Sequence, residues 1–179
     1  MFVENLNETL NLGKKLSRKL NPQSIVLLHG PIGAGKTSFV QGIAKGLSIS
    51  EEITSPTFAL SHHYNSGKIP LIHLDLYRLG NVSSAKEVFF SEQEEAIQKQ
   101  AILVIEWPEL IEPVIHNFWK IEISYAKDYG RNYEIRDPKN LLTFSYDGCC
   151  SMAPSPRQVN NPQTPANLMQ SSISSSFEG

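Results

Sequence analysis

The chain has 179 residues, 40% hydrophobic and 19% charged, which is enough apolar material for one domain with a real core. Its formal net charge of −2 leaves no basic excess to displace counterions, which argues against nonspecific grip on a nucleic-acid backbone. No apolar run approaches the roughly 18 residues of a membrane span, and Met1-Phe2-Val3-Glu4-Asn5 lacks the basic and apolar regions of a signal peptide, so a cytoplasmic protein without membrane contact is expected.

In chain order, residues 7–20 predict an amphipathic helix, with Leu12, Leu16 and Leu20 at i, i+4 spacing and Asn5 as a cap three residues before Glu8. Asn21-Pro22 ends it. Ile25-Val26-Leu27-Leu28-His29 reads as a short buried strand, and residues 36–47 as a helix with Phe39, Val40, Ile43, Ala44 and Leu47 on one face. A strand at about 57–64 and a turn at Asn65-Ser66-Gly67 lead to the strand Pro70-Leu71-Ile72-His73-Leu74-Asp75, which ends in an acid. Residues 84–98 predict a helix whose Glu87, Glu92, Glu94 and Glu95 form a solvated face. Ala101-Ile102-Leu103-Val104-Ile105-Glu106 is a central strand, apolar on both faces and again ending in an acid. Trp119 to Ser124 and Tyr133 to Ile135 supply antiparallel edge strands. There is no internal repeat.

Composition changes near residue 137. Five of the eleven prolines lie from Pro138 onward, amid Ser, Asn and Gln. Residues 137–179 therefore read as a Ser/Pro/Asn-rich tail, largely disordered because it cannot bury enough surface to offset its ordering entropy. Leu141-Leu142-Thr143-Phe144 reads as a last strand or a docking segment. Cys149 and Cys150 are adjacent, which suits neither a structural crosslink nor a zinc site.

Residues 30–37 read Gly30-Pro31-Ile32-Gly33-Ala34-Gly35-Lys36-Thr37, a complete G-x-x-x-x-G-K-[ST] phosphate-binding loop between a predicted strand and a predicted helix. The glycines let consecutive N–H groups point at phosphate oxygens, Lys36 adds a point charge, and the Thr37 hydroxyl can ligate Mg2+. The chain is thus expected to bind a nucleoside triphosphate. The fold class that follows is α/β, a three-layer P-loop NTPase fold over residues 1–136, with a mainly parallel central sheet and antiparallel edge strands.

Three further features narrow the chemistry. Asp75 and Glu106 both end apolar strands, where ligands of open α/β sheets bind, as a Walker-B-like metal ligand requires. Either could also be a polar strand end in water. Thr54-Ser55-Pro56-Thr57 carries hydroxyls that could reach a γ-phosphate or metal, although such stretches are common turns. Arg78 could pair with phosphate or with Asp75. His62, His63 and His73 have metal-capable chemistry, but their spacing places no three ligands on one element, and they read as polar strand positions.

In this order, Gly-x-x-Gly-Ala-Gly-Lys-Thr, Ser55-Pro56-Thr57-Phe58, His73-x-Asp75-Leu76-Tyr77-Arg78-Leu79 and Glu106-Trp107-Pro108 resemble the TsaE (YjeE) family over roughly residues 4–136. These are bacterial ATPases required for threonylcarbamoyladenosine synthesis on tRNA. The resemblance implies ATP and Mg2+ as ligands, with Gly33, Ala34, Gly35, Lys36, Thr37, Ser38 and Arg131 on the nucleotide and Thr37 and Glu106 on the metal. Lys36, Asp75 and Glu106 would be catalytic, Asp75 by positioning the attacking water or sensing the γ-phosphate. Trp107 would sit beside the site and report on nucleotide. The first helix would pack near the adenine. The implied partners are TsaD and its companion TsaB, with tRNA met only through them, and hydrolysis would reset that complex between rounds.

Two departures stand out. Pro31 occupies a position where many family members have an acid, and the tail exceeds the usual compact domain. Proline removes one N–H but leaves Gly33 to Thr37 intact, so little loss of binding is expected. Two other functions need the same loop: a P-loop small-molecule kinase, which requires an arginine-bearing lid, and an ATP-dependent binding switch without significant turnover.

Overall fold

Asn5 starts the first helix as predicted. Its backbone is extended and its side-chain oxygen accepts the Glu8 N–H at 3.1 Å, capping α1 (Leu6–Ser17). The structure, a computed structural model, describes residues 1–139. The expected tail beyond residue 139, including 141–144 and both cysteines, lies outside the described residues. Leu12, Leu16 and Leu20 are all buried, as their spacing requires.

The strands are β1 (Phe2–Val3), β2 (Ile25–His29), β3 (Ser61–Tyr64), β4 (Leu71–Asp75), β5 (Ile102–Glu106), β6 (Phe118–Tyr125) and β7 (Arg131–Arg136). They form one seven-stranded sheet in the order β1-β7-β6-β2-β5-β4-β3. The inner strands β6, β2, β5 and β4 run parallel. At the edges β7, β1 and β3 pair antiparallel. Helix α2 (Lys36–Leu47) packs with α1 on one face, where Val26, Leu28, Val104 and Leu71 meet Phe39, Val40 and Ile43. Helix α3 (Val82–Gln98) covers the other face, where Leu27, Leu103, Ile105, Ile72 and Leu74 meet Ala85, Phe89 and Ala96. Burial on both faces explains why β2, β4 and β5 read as near-continuous apolar runs. The expected mainly parallel α/β sheet with antiparallel edges is therefore present.

Helices α1 and α2 touch through Gly13 and Gly42. A Cβ on Gly13 would strike the Phe39 carbonyl and the Gly42 Cα, and one on Gly42 would lie 2.5 Å from the Leu10 carbonyl oxygen. Only glycine permits that approach, which holds α1 against the helix behind the phosphate loop.

The first helix stops at Ser17 rather than at residue 20, and three further features differ from expectation. The strand expected at 57–64 is only Ser61–Tyr64, because residues 57–60 turn, closed by a Leu60 N–H to Pro56 carbonyl bond of 2.6 Å. Strand β1 was not foreseen: two residues carry no periodicity, and it exists through Phe2↔Asn132 and Val3↔Arg131 pairing. Between β5 and β6 lie two single 3₁₀ turns, Pro108–Leu110 and Glu112–Val114. Among the described residues no helix is long and apolar enough to cross a membrane.

Candidate active site

The phosphate loop connects the end of β2 to the start of α2. Gly33 (φ +74°) and Gly35 (φ +102°) adopt left-handed backbone that a side chain would strain. No side chain caps α2, so the first-turn N–H groups are left for a ligand. The loop's outward carbonyls are held from the β6–β7 hairpin. Tyr125 Oη donates to the Ile32 carbonyl at 2.6 Å, and Arg131 donates from Nε to Ala34 (3.2 Å) and from Nη2 to Gly33 (3.3 Å). The Arg131 guanidinium also lies 4.6 Å over the Tyr125 ring and donates to the Gly130 carbonyl. Fixing carbonyls outward directs the amides inward.

Lys36 is 5% exposed, with Nζ 2.7 Å from the Gly30 carbonyl oxygen, 3.0 Å from that of Pro31 and 3.8 Å above the Trp107 ring. Burial pushes its pKa below the ordinary lysine value, against the pull of Glu106, Asp75 and Glu109. Trp107 reaches this position through a left-handed backbone (φ 57°), and its ring packs against Tyr77, tilted by 47° with centroids 4.9 Å apart. Nearby, His29 at the head of the loop lies 3.3 Å from Glu109, and that hydrogen bond holds the Glu109 carboxyl below its usual range.

The parallel register of β4 and β5 places Asp75 directly opposite Glu106. Thr37 Oγ1 donates to Glu106 Oε1 at 2.9 Å. Asp75 Oδ2 accepts from Thr57 Oγ1 and, at 3.4 Å, from Ser55 Oγ, while Oδ1 accepts the Tyr77 N–H at 3.0 Å. The Ser55-Pro56-Thr57 segment thus wraps over the β4 acid, which is why it turns instead of extending into a strand. These residues line a cavity of about 280 Å³ with Ile32, Gly33, Lys36, Thr37, Glu106 and Trp107. On the other side of the loop, a second cavity of about 220 Å³ is lined by Val3, Asn5, Leu6, Thr9, Ser38 and Arg131, among others, including Gly33, Ala34 and Gly35.

The donor set suits Mg2+. Among the described residues no group of three or more His, Cys, Asp or Glu side chains is placed to hold a metal. One hydroxyl and one carboxylate beside an uncapped helix N-terminus is the sparse, all-oxygen arrangement that Mg2+ shares with nucleotide phosphates.

Some sequence-predicted residues behave differently. Arg78 makes no ion pair with Asp75 among the described residues, and its guanidinium instead lies 4.8 Å over the Phe58 ring. Glu92 is not simply solvated: it accepts from Ser61 Oγ at 2.6 Å and lies 2.7 Å from His63 Nε2, tying edge strand β3 to α3. His73 lies on a strand, as expected, and the structure adds its partner. It is wholly buried, with Nε2 2.9 Å from Glu106 Oε1. Its two-residue offset from Asp75 on one strand face was the available signal; adjacency to Glu106 needed the β4–β5 register.

The family model described as threonylcarbamoyl adenosine biosynthesis protein TsaE matches residues 3–133. The chain belongs to the TsaE family. A TsaE from Nostoc is 42% identical over 137 residues, covering 75% of this chain and 83% of the relative. One from Synechocystis is 45% identical over 112 residues, 60% of this chain and 69% of the relative. A crystal structure of Bacillus subtilis YdiB superimposes with a TM-score of 0.64 at 27% identity, covering 81% of this chain and 90% of that one. The TsaE family is one of tRNA threonylcarbamoyladenosine biosynthesis, so this chain takes part in tRNA modification, and every TsaE motif recognised in the sequence lies within the matched span.

Proposed function

We propose that this chain is a Mg2+-dependent ATPase that hydrolyses ATP in complex with the TsaD–TsaB modifying enzyme and so resets it between rounds. The observation that carries the reading is convergence: Lys36, Thr37, Asp75 and Glu106, from three separate elements, line one cavity beside an uncapped helix N-terminus. Phosphoryl transfer to water asks the protein for positioning and charge stabilisation rather than covalent chemistry. The α2 amides and Lys36 would hold the phosphates. Thr37 and Glu106 would hold Mg2+, which when bound supplies positive charge against the phosphate oxygens. Asp75, held by Ser55, Thr57 and the Tyr77 N–H, would orient the attacking water. The second cavity would take the nucleoside, bordered by α1 and by Ser38 and Arg131.

The test is phosphate release from Mg-ATP by the purified chain, alone and with the TsaD–TsaB pair from the same source. Lys36→Ala serves as control. Slow release alone that rises with the pair, and is lost in the control, is expected. Binding to the pair that needs ATP without turnover would replace the ATPase by a binding switch. No rise and no binding would return the small-molecule kinase reading to the front.

A further inference from the structure

His73 is a fully buried polar side chain that the ATPase reading leaves without a task. It sits mid-strand in β4 and is 0% exposed, yet it is a histidine where an aliphatic residue would pack without loss of hydration. Only one of its ring nitrogens is satisfied: Nε2 lies 2.9 Å from Glu106 Oε1, and Nδ1 has no partner. An ionised carboxylate only accepts, so Nε2 carries the proton and donates. Burying the other nitrogen bare is unfavourable for folding. A side chain buried at that cost and touching one carboxylate points to a role at that carboxylate.

Oε1 of Glu106 takes both available bonds, from His73 Nε2 and from Thr37 Oγ1, each 2.9 Å long. The Thr37 hydroxyl has a second duty, because the same oxygen is a candidate Mg2+ ligand. His73 has no other duty. We propose that His73 is a positioning residue for Mg2+ binding: its Nε2–H pins Glu106 Oε1 and fixes the orientation in which the carboxylate meets the ion. The inference rests on Glu106 being a metal ligand. Hydrogen bonds that orient ligating side chains raise metal affinity about 10–100-fold when intact.

The experiment measures ADP binding by Trp107 fluorescence in the full chain, across a Mg2+ titration and in EDTA. Variants are His73→Met, which fills the space without a donor, and His73→Gln, whose amide can reach Glu106 as Nε2 does. His73→Asn is polar but too short. His73→Met and His73→Asn should need about 10–100-fold more Mg2+ for half-effect, with ADP affinity in EDTA within a few-fold of wild type. His73→Gln should recover most of the loss. Thermal unfolding identifies any variant that does not fold, and the Gln/Asn pair then decides alone.

Unchanged Mg2+ demand in folded His73→Met or His73→Asn overturns the proposal, as does a Gln variant no better than Asn. Wild-type ADP binding that ignores Mg2+, or a Glu106→Ala variant with wild-type Mg2+ response, would remove the metal-ligand reading of Glu106 and this inference with it. A Mg2+-sensitive wild type with a normal His73→Met would remove only the role of His73.

Discussion

The two cavities flanking the phosphate loop are built from different parts. On one side, Lys36, Thr37, Ser55, Thr57, Asp75 and Glu106 present charged and hydroxyl side chains from strand ends and loops around them. On the other, Val3, Leu6, Ala34 and the glycines Gly33, Gly35 and Gly130 supply small or apolar surface, beside the polar Glu4, Asn5, Thr9, Ser38 and Arg131. The strand-end acids Asp75 and Glu106 and the Lys36 ammonium line only the first, and the second has more glycine in its wall. Substitutions on the first side should therefore change rate with little effect on folding, whereas those on the second should change affinity and stability together.

The largest effect expected is loss of turnover in Glu106→Ala. Phosphate release with partners present should fall to background. Turnover near the wild-type rate would remove Glu106 from the metal site. Asp75→Asn comes next. It keeps the size of the side chain and an oxygen for one of its donors but removes the negative charge, so turnover should drop on the order of 10²–10⁴-fold. Affinity for ADP should stay within a few-fold. An affinity loss as large as the rate loss would show that Asp75 serves binding instead, and the contrast between the cavities would weaken.

On the second side, Gly13→Ala is the sharper probe. The new methyl meets backbone of Phe39 and Gly42, which cannot rotate away, so about 1–3 kcal/mol of stability should be lost. The melting temperature should fall by roughly 2–4 °C per kcal/mol. Because α1 also walls the cavity proposed for the nucleoside, ADP affinity should fall with stability while the rate at saturating ATP holds. Tyr125→Phe is milder. It deletes only the bond to the Ile32 carbonyl, worth about 1 kcal/mol, and should weaken ADP binding by roughly fivefold. No change there would mean that Arg131 alone holds the loop.

The same contrast explains what was legible in the sequence. The side proposed as catalytic announces itself because Gly33, Gly35, Lys36 and Thr37 have little freedom of type or spacing, and because an acid after four aliphatic residues marks a strand end. Helix α2 was accordingly placed at its observed bounds. The side proposed for the nucleoside was legible at Gly33, Ala34, Gly35, Ser38 and Arg131 and in the general position of the first helix, but not beyond. Val3 and Gly130 reach it through β1–β7 pairing across more than a hundred residues, which leaves no residue-type signal. The partner of His73 was illegible for a related reason. On one strand the histidine is only a polar residue among apolar ones; its meaning lies in the neighbouring strand's register, which periodicity does not specify.

Lys36 carries the smallest and most diagnostic expectation, because it links the two kinds of effect in one residue. Its pKa is lowered in the folded chain, chiefly by burial, so between that value and the ordinary value near 10.5 the unfolded chain binds more protons than the folded one. Stability of the free protein should therefore rise with pH across that alkaline window, and below it the buried charge is a constant burden. Lys36→Met should remove the slope and leave the free protein's melting temperature equal or a few degrees higher. Bound phosphate reverses the balance by favouring the ammonium form, so nucleotide binding takes up a proton in the same window and affinity falls as pH rises through it. Isothermal titration in two buffers of different ionisation enthalpy would count that proton. A protein whose affinity stays flat until well above pH 10 would show that Lys36 is not desolvated in the free state. Uptake that vanishes in Lys36→Met, alongside unchanged or improved folding, would show that a burial unfavourable to the free chain is held for the ligand.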